Sequence, residues 1–124
     1  MAETPRPSVA DLTARRCTPC EGGVAVLTAA EVAPLVAVLP AWKVSTDGTR
    51  IGRQLSFPDF RAAVRFVNNV AALAEREGHH PDLHIEGYRH VRIEITTHAI
   101  GGLSENDFVL AAKIDQIAPP AARG

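Results

Sequence analysis

The sequence predicts an α+β domain of two layers, a four-stranded antiparallel sheet with three helices on one face, in the order α-β-β-α-β-β-α. Three observations predict it. A Ser or Thr followed three residues later by an acid, the start signature of a helix, occurs at Thr28–Glu31, Ser56–Asp59 and Ser104–Asp107. Between these starts lie stretches in which apolar and polar residues alternate, as in half-buried strands. Each stretch contains a glycine turn, Asp47-Gly48 in the first and Gly87 in the second, suited to joining antiparallel neighbours.

The first helix is expected over 28–38. Leu27 and Val32 occupy the staple positions around its capping box, and Pro34 predicts a start or a kink within it. Strands at 41–46 and 50–56 flank Asp47-Gly48; Ile51, Leu55 and Phe57 alternate with polar neighbours, although Arg53 breaks the apolar phase. The middle helix, 57–77, starts at Ser56-Phe57-Pro58-Asp59 with Leu55 and Phe60 as its staple. Phe60, Ala63, Val64, Val67, Val70, Ala71 and Ala74 form its apolar stripe, with Phe66 and Leu73 beyond it, and Gly78 is placed to end it. A short strand near 83–86 and a longer one at 89–97 follow, the latter carrying Val91, Ile93 and Ile95 on one side. The last helix is expected over 104–117, with Leu103 and Phe108 as staple. The domain is therefore placed at 27–117, with residues 1–26 a weakly ordered extension and 118–124 a weakly ordered tail.

Composition narrows the function classes. Of 124 residues, 46% are hydrophobic and 22% charged, the balance of one globular domain. A net charge of −1 without a long basic run gives no basis for capturing nucleic acid. No apolar stretch approaches the roughly 20 residues that span a bilayer, and the first residues lack an apolar export segment, so no membrane role and a cytoplasmic address are expected. Cys17 and Cys20 form a single Cys-x-x-Cys in a Pro/Gly-flanked segment, with no second pair to complete a zinc ribbon. It reads as a loop feature without catalytic consequence, or as a metal or disulfide site shared between two chains.

Chemistry concentrates in residues 75–107. Glu75 precedes His79-His80-Pro81; His84, Tyr88, His98 and Asp107 follow. Histidine exchanges a proton near neutrality without help, so such a cluster suggests acid/base work. Pro81 forces an extended backbone on His80 and argues against a helix across His80 and His84, which makes a zinc site there a poor reading. Each candidate also has a bland explanation. Asp107 is the reciprocal partner of a helix cap, Glu75 is a solvated acid in a last helical turn, and His98 follows the solvent phase of its strand. His84 and His90 read as surface histidines, and Tyr88 as a packing residue at a turn.

The series Glu75, His79-His80-Pro81, Tyr88, His98 and Asp107 resembles the signature of the pterin-4a-carbinolamine dehydratases. The resemblance extends over roughly 27–117 and includes Trp42, the segment Leu55-Ser56-Phe57-Pro58-Asp59-Phe60, Thr97-His98 and the Gly102–Asp107 segment. It implies a two-layer α+β fold and removal of water from a 4a-hydroxytetrahydropterin, giving the quinonoid dihydropterin used again by aromatic amino acid hydroxylases. No metal or organic cofactor is implied. Carried over by position, His79, His80 and His98 match the catalytic histidines. His80 is expected to act in binding and proton transfer at the ring, and His79 and His98 at the departing hydroxyl. Glu75, Pro81 and Asp107 are expected to bind substrate or orient histidines. The resemblance further implies a homodimer or homotetramer and a link to phenylalanine hydroxylase. Two alternatives stay open: a non-enzymatic dimerisation cofactor or assembly scaffold of the same fold, and a dehydratase of another pterin-like compound.

Overall fold

In the computed structural model of the chain, residues 8–18 and 25–119 are described. Chain order is α1 (Val9–Ala14), α2 (Ala29–Ala37), β1 (Lys43–Val44), β2 (Ile51–Ser56), α3 (Phe60–Glu77), β3 (Asp82–Glu86), β4 (His90–Ile95), a single 3-10 turn at His98–Ile100, and α4 (Glu105–Ile117). The four strands form one antiparallel sheet in the order β1-β2-β4-β3. Ile51, Arg53 and Leu55 of β2 and Val91, Ile93 and Ile95 of β4 face the helices and are buried, while their neighbours point to the open side.

The α+β class and the antiparallel sheet are as the sequence indicates; the differences lie at element ends. A short helix, α1, lies inside the segment expected to be a loose extension. Ser8 caps it by accepting the Asp11 N–H at 3.1 Å, and Leu12 is buried where α1 packs on α4. The signal was present, since Ser8 and Asp11 repeat the spacing of the other caps. Helix α2 runs through Pro34, which forfeits one backbone bond, and its capping box of Thr28 and Glu31 is complete.

Helix α3 starts three residues later than expected. Asp59, not Ser56, is its N-cap, accepting the Ala62 N–H at 2.8 Å, and Ser56 instead meets His90 Nδ1. Pro58 explains the shift: it cannot sit comfortably inside the turn that a Ser56 cap would require of Phe57. The buried face also rotates. Ala63, Phe66, Val70, Leu73 and Ala74 enter the core, whereas Phe60 and Ala71 are exposed, so no Leu55–Phe60 staple forms. Phe57 fills the space at the start of α3, its ring 5.1 Å from that of Phe66. Strand β1 is shorter than the expected 41–46, because Trp42 turns inward and Ser45, Asp47 and Thr49 close a side-chain-bonded turn. Hydroxyl and amide donors of that turn hold Asp47 down at about 2. Gly87 and Tyr88 both take positive φ, the geometry of a tight hairpin turn between β3 and β4.

Arg53 breaks the apolar phase yet points into the core, with 5% of its surface exposed. Its guanidinium is paired with Asp115 of α4, and the same carboxylate oxygen accepts the indole N–H of Trp42 at 2.9 Å. A buried charge is tolerable only with such a partner. Replacing Asp115 by Ala is expected to cost about 3 kcal/mol, the lower part of the range for breaking a buried pair, because Asp115 is partly exposed. Replacing Arg53 and Asp115 together by Leu should cost far less. Urea denaturation of the three proteins checks this ordering.

Candidate active site

Two backbone devices bring the candidate histidines together. At the C-terminus of α3, Gly78 adopts the left-handed conformation, and the His79 N–H folds back to the Ala74 carbonyl at 3.2 Å while the Gly78 N–H reaches Glu75. This is the Schellman closure, and glycine takes it without steric cost. It sets His79 and His80 at the end of the helix, and Pro81 then leads into β3. At the other side, β4 ends in a tight loop. Thr97 bridges to Gly102, the His98–Ile100 turn lies between, and Gly101 closes it with φ of 68°.

His79, His80 and His98 line one hollow of about 250 Å³, together with Thr18, Gly78, Thr96, Thr97, Ala99 and Asn106. Two of the three are held by carboxylates. His79 Nε2 lies 2.6 Å from Asp107 Oδ1, and His80 Nε2 lies 2.5 Å from Glu75 Oε2. An ionised carboxylate only accepts, so in each ring the proton belongs on Nε2 and Nδ1 is left for other contacts. The two pairs differ in setting: Asp107 is fully buried, while Glu75 and His80 are mostly exposed. His98 is exposed at the rim, and no carboxylate is paired with it among the described residues.

Asp107 is the reciprocal partner of the helix cap and also bonds a histidine. Its Oδ2 accepts the Ser104 N–H at 2.8 Å, closing the start of α4, and the Thr97 hydroxyl at 2.9 Å. Its Oδ1 holds His79. Neither Asp107 nor Glu75 lines the hollow directly; each is bonded to a histidine that does. Pro81 is half-buried beyond the lining residues and shapes the chain instead of facing the hollow. His84 and His90 stand on the open side of the sheet beside Glu94 and Ser56, and Tyr88 is exposed at the hairpin tip. Among the described residues, no group of three His, Cys, Asp or Glu side chains is arranged to hold a metal ion.

Thr18 and Asn106 were not among the candidates, and nothing in the local spacing signals them, because they are 88 residues apart. Asn106 is buried at the start of α4 and grips the Thr18 peptide, accepting its N–H at 2.9 Å and donating to its carbonyl. The preceding Cys17 N–H donates to Glu77 Oε1 at 3.0 Å, and Glu77 also pairs with Lys113 at 2.9 Å. Burial opposes ionisation of Glu77, but the Cys17 N–H and the Lys113 ammonium keep it below the usual carboxylate range. Burial, with the Glu77 charge adding to it, pushes the Cys17 thiol up to about 12. Cys20 lies outside the described residues.

Known proteins share this arrangement of fold and sequence. The family model described as pterin 4 alpha carbinolamine dehydratase matches residues 25–117. A Methylococcus capsulatus protein named "Putative pterin-4-alpha-carbinolamine dehydratase" is 46% identical over 110 residues, covering 89% of this chain and 96% of its own length. A protein of the same name from Azoarcus is 46% identical over 108 residues, covering 87% and 92%. The chain belongs to the pterin-4-alpha-carbinolamine dehydratase family. Among solved structures, a Brucella melitensis protein described as a transcriptional coactivator/pterin dehydratase superposes with a TM-score of 0.70 at 31% identity, covering 76% of this chain and 99% of its own. A pterin dehydratase-like RuBisCO assembly factor of the alpha-carboxysome shares the fold, with a TM-score of 0.53 at 23% identity, covering 61% and 87%.

Two outcomes follow from this geometry. Asp107→Ala removes the acceptor shared by the helix start, Thr97 and His79, and is expected to cost about 3 kcal/mol in urea denaturation. Cys17, protonated far above neutral pH, is expected to alkylate at pH 8 at well under about a hundredth of the rate of an unfolded-chain thiol. Peptide-resolved mass spectrometry with and without urea measures that ratio.

Proposed function

We propose that the chain dehydrates a 4a-hydroxytetrahydropterin to the quinonoid dihydropterin by histidine acid/base catalysis. The observation that carries this reading is the convergence of the adjacent His79 and His80, beyond the end of α3, with His98, beyond the end of β4, on one hollow, two of the rings being oriented by carboxylates. Family membership supplies the substrate class. In the reaction a base removes the proton on N5, the C4a–oxygen bond breaks as an acid protonates the hydroxyl, and the electron pair from N5 forms the C4a–N5 double bond. Water is the only other product. Such a step needs proton acceptors and donors on both sides of a flat ring, held in place beforehand.

In this assignment His80, with Glu75 fixing its ring, binds the pterin and moves the proton at the ring nitrogen. His79, fixed by Asp107, and His98 at the rim serve the departing hydroxyl. Glu75 and Asp107 are positioning residues, and Pro81 directs the chain that carries His80. A homo-oligomer acting beside a phenylalanine hydroxylase in the cytoplasm completes the proposal. The scaffold alternative draws support from the fold shared with a RuBisCO assembly factor, but it gives no chemical reason for the histidine-lined hollow.

Loss of the 4a-hydroxy species, generated by a phenylalanine hydroxylase and followed spectroscopically, is expected to accelerate when the protein is added. A rate equal to that of buffer rejects the enzyme. His80→Ala is expected to lower turnover about tenfold or more while the protein stays folded. Unchanged turnover would remove His80 from the site.

A further inference from the structure

One wall of the hollow comes from outside the histidine segment. Residues 15–18 follow α1 with no helix or strand of their own, yet Cys17 and Thr18 are bonded to both helices that frame the site. Cys17 N–H is held by Glu77 at the end of α3, and Cys17 Sγ lies 3.5 Å from the Asn106 carbonyl. Thr18 is held at both its N–H and its carbonyl by the single side-chain amide of Asn106. Thr18 is itself exposed and lines the hollow beside His79, His80 and His98.

A side-chain amide carries a donor and an acceptor side by side, so it can accept the N–H and donate to the carbonyl of one residue at once. Asp at 106 would keep only the acceptor, and an aliphatic residue neither. Asn106 is 6% exposed, so its side of the two bonds is buried although Thr18 is exposed, and the clip leaves the adjacent Asp107 free to hold His79. Neither bond is needed to start α4, whose first turn is closed by Ser104 and Asp107.

We propose that Asn106 is a positioning residue that fixes Thr18 as the substrate-facing wall of the hollow, so that this N-terminal segment sets how tightly a pterin is held. The proposal rests on the pterin reading of the site. The histidines come from two segments, the turn after α3 and the loop after β4, and Thr18 with Asn106 supplies lining from a third. The clipped peptide supplies that lining without adding an acid or a base, so its effect belongs to binding and not to proton transfer.

The test uses the full chain and two variants. Asn106→Ala removes both bonds. Thr18→Pro removes the N–H donor from an exposed segment and leaves α4 untouched, which guards against loss of the fold. Binding of a dihydropterin lacking the 4a-hydroxyl, steady-state turnover and hydrogen exchange at residue 18 (in the Asn106→Ala protein) are measured together. Both variants are expected to raise KM and the dihydropterin Kd about fivefold or more, from the loss of one or two part-buried hydrogen bonds that hold the wall. Turnover at saturation is expected to stay within about twofold, with an unchanged pH profile. Faster exchange at Thr18 with unaltered KM and Kd would overturn the proposal, since the clip would then be structural only. Should the unsubstituted chain bind dihydropterin without turning over the hydroxy substrate, the dehydratase reading falls, and the ratio of Kd values alone decides the role of Asn106. A chain that binds no pterin at all sinks both.

Discussion

One buried carboxylate ties the fold of this protein to its candidate chemistry. Asp107 has no surface exposed to solvent and must satisfy its oxygens within the protein, because an unpartnered charge in that position would be prohibitively costly. It does so with a backbone N–H at the start of α4, a hydroxyl at the end of β4 and an imidazole beyond the end of α3. The start of α4, the loop just before it and the more distant end of α3 thus share a single carboxylate. His79 is oriented by the same carboxylate that ties the start of the last helix to the loop after β4.

The surrounding backbone follows the same economy. The helix that carries Glu75 ends in a closure that turns the chain by a left-handed glycine, and the two imidazoles emerge from that turn with little freedom in their main chain. The facing loop is cross-linked by the Thr97–Gly102 bridge, which holds His98 on a short turn. Tight turns at both margins give the hollow its shape. The two carboxylate–histidine pairs differ in exposure: one is embedded in the framework, the other stands in water at the margin.

Much of this was legible in the sequence because it is written in local signals. Caps at Thr28 and Ser104, the alternation of Val91, Ile93 and Ile95, and the glycine turns each depend on residues a few positions apart, and each element formed where its signal lay. Errors arose where two local signals competed. Ser56 and Asp59 both suit a helix start, and Pro58 decides for Asp59; the helix then begins later and turns a different face inward, which exchanges Phe60 for Phe66 in the core. The small helix at Val9–Ala14 carried a cap of the usual spacing but too few apolar residues to stand out; only Leu12 docks it. The His79, His80 and His98 assignment came from a familiar pattern of residues, and its convergence on one hollow is tertiary. Thr18 and Asn106 lay beyond reach, because a contact across most of the chain leaves no trace in spacing.

The inward guanidinium of β2 has a consequence for how the sheet assembles. Side chains on a strand alternate between faces, so slippage of β2 by one residue against β4 would swing every member to the opposite side. For an all-aliphatic strand the wrong alignment forfeits burial alone. Here it would also leave the Asp115 carboxylate without its cation and bring the Arg53 charge out of its pairing. Arg53 therefore works as a key cut for one alignment, adding an electrostatic penalty for misregistered pairing to the loss of burial.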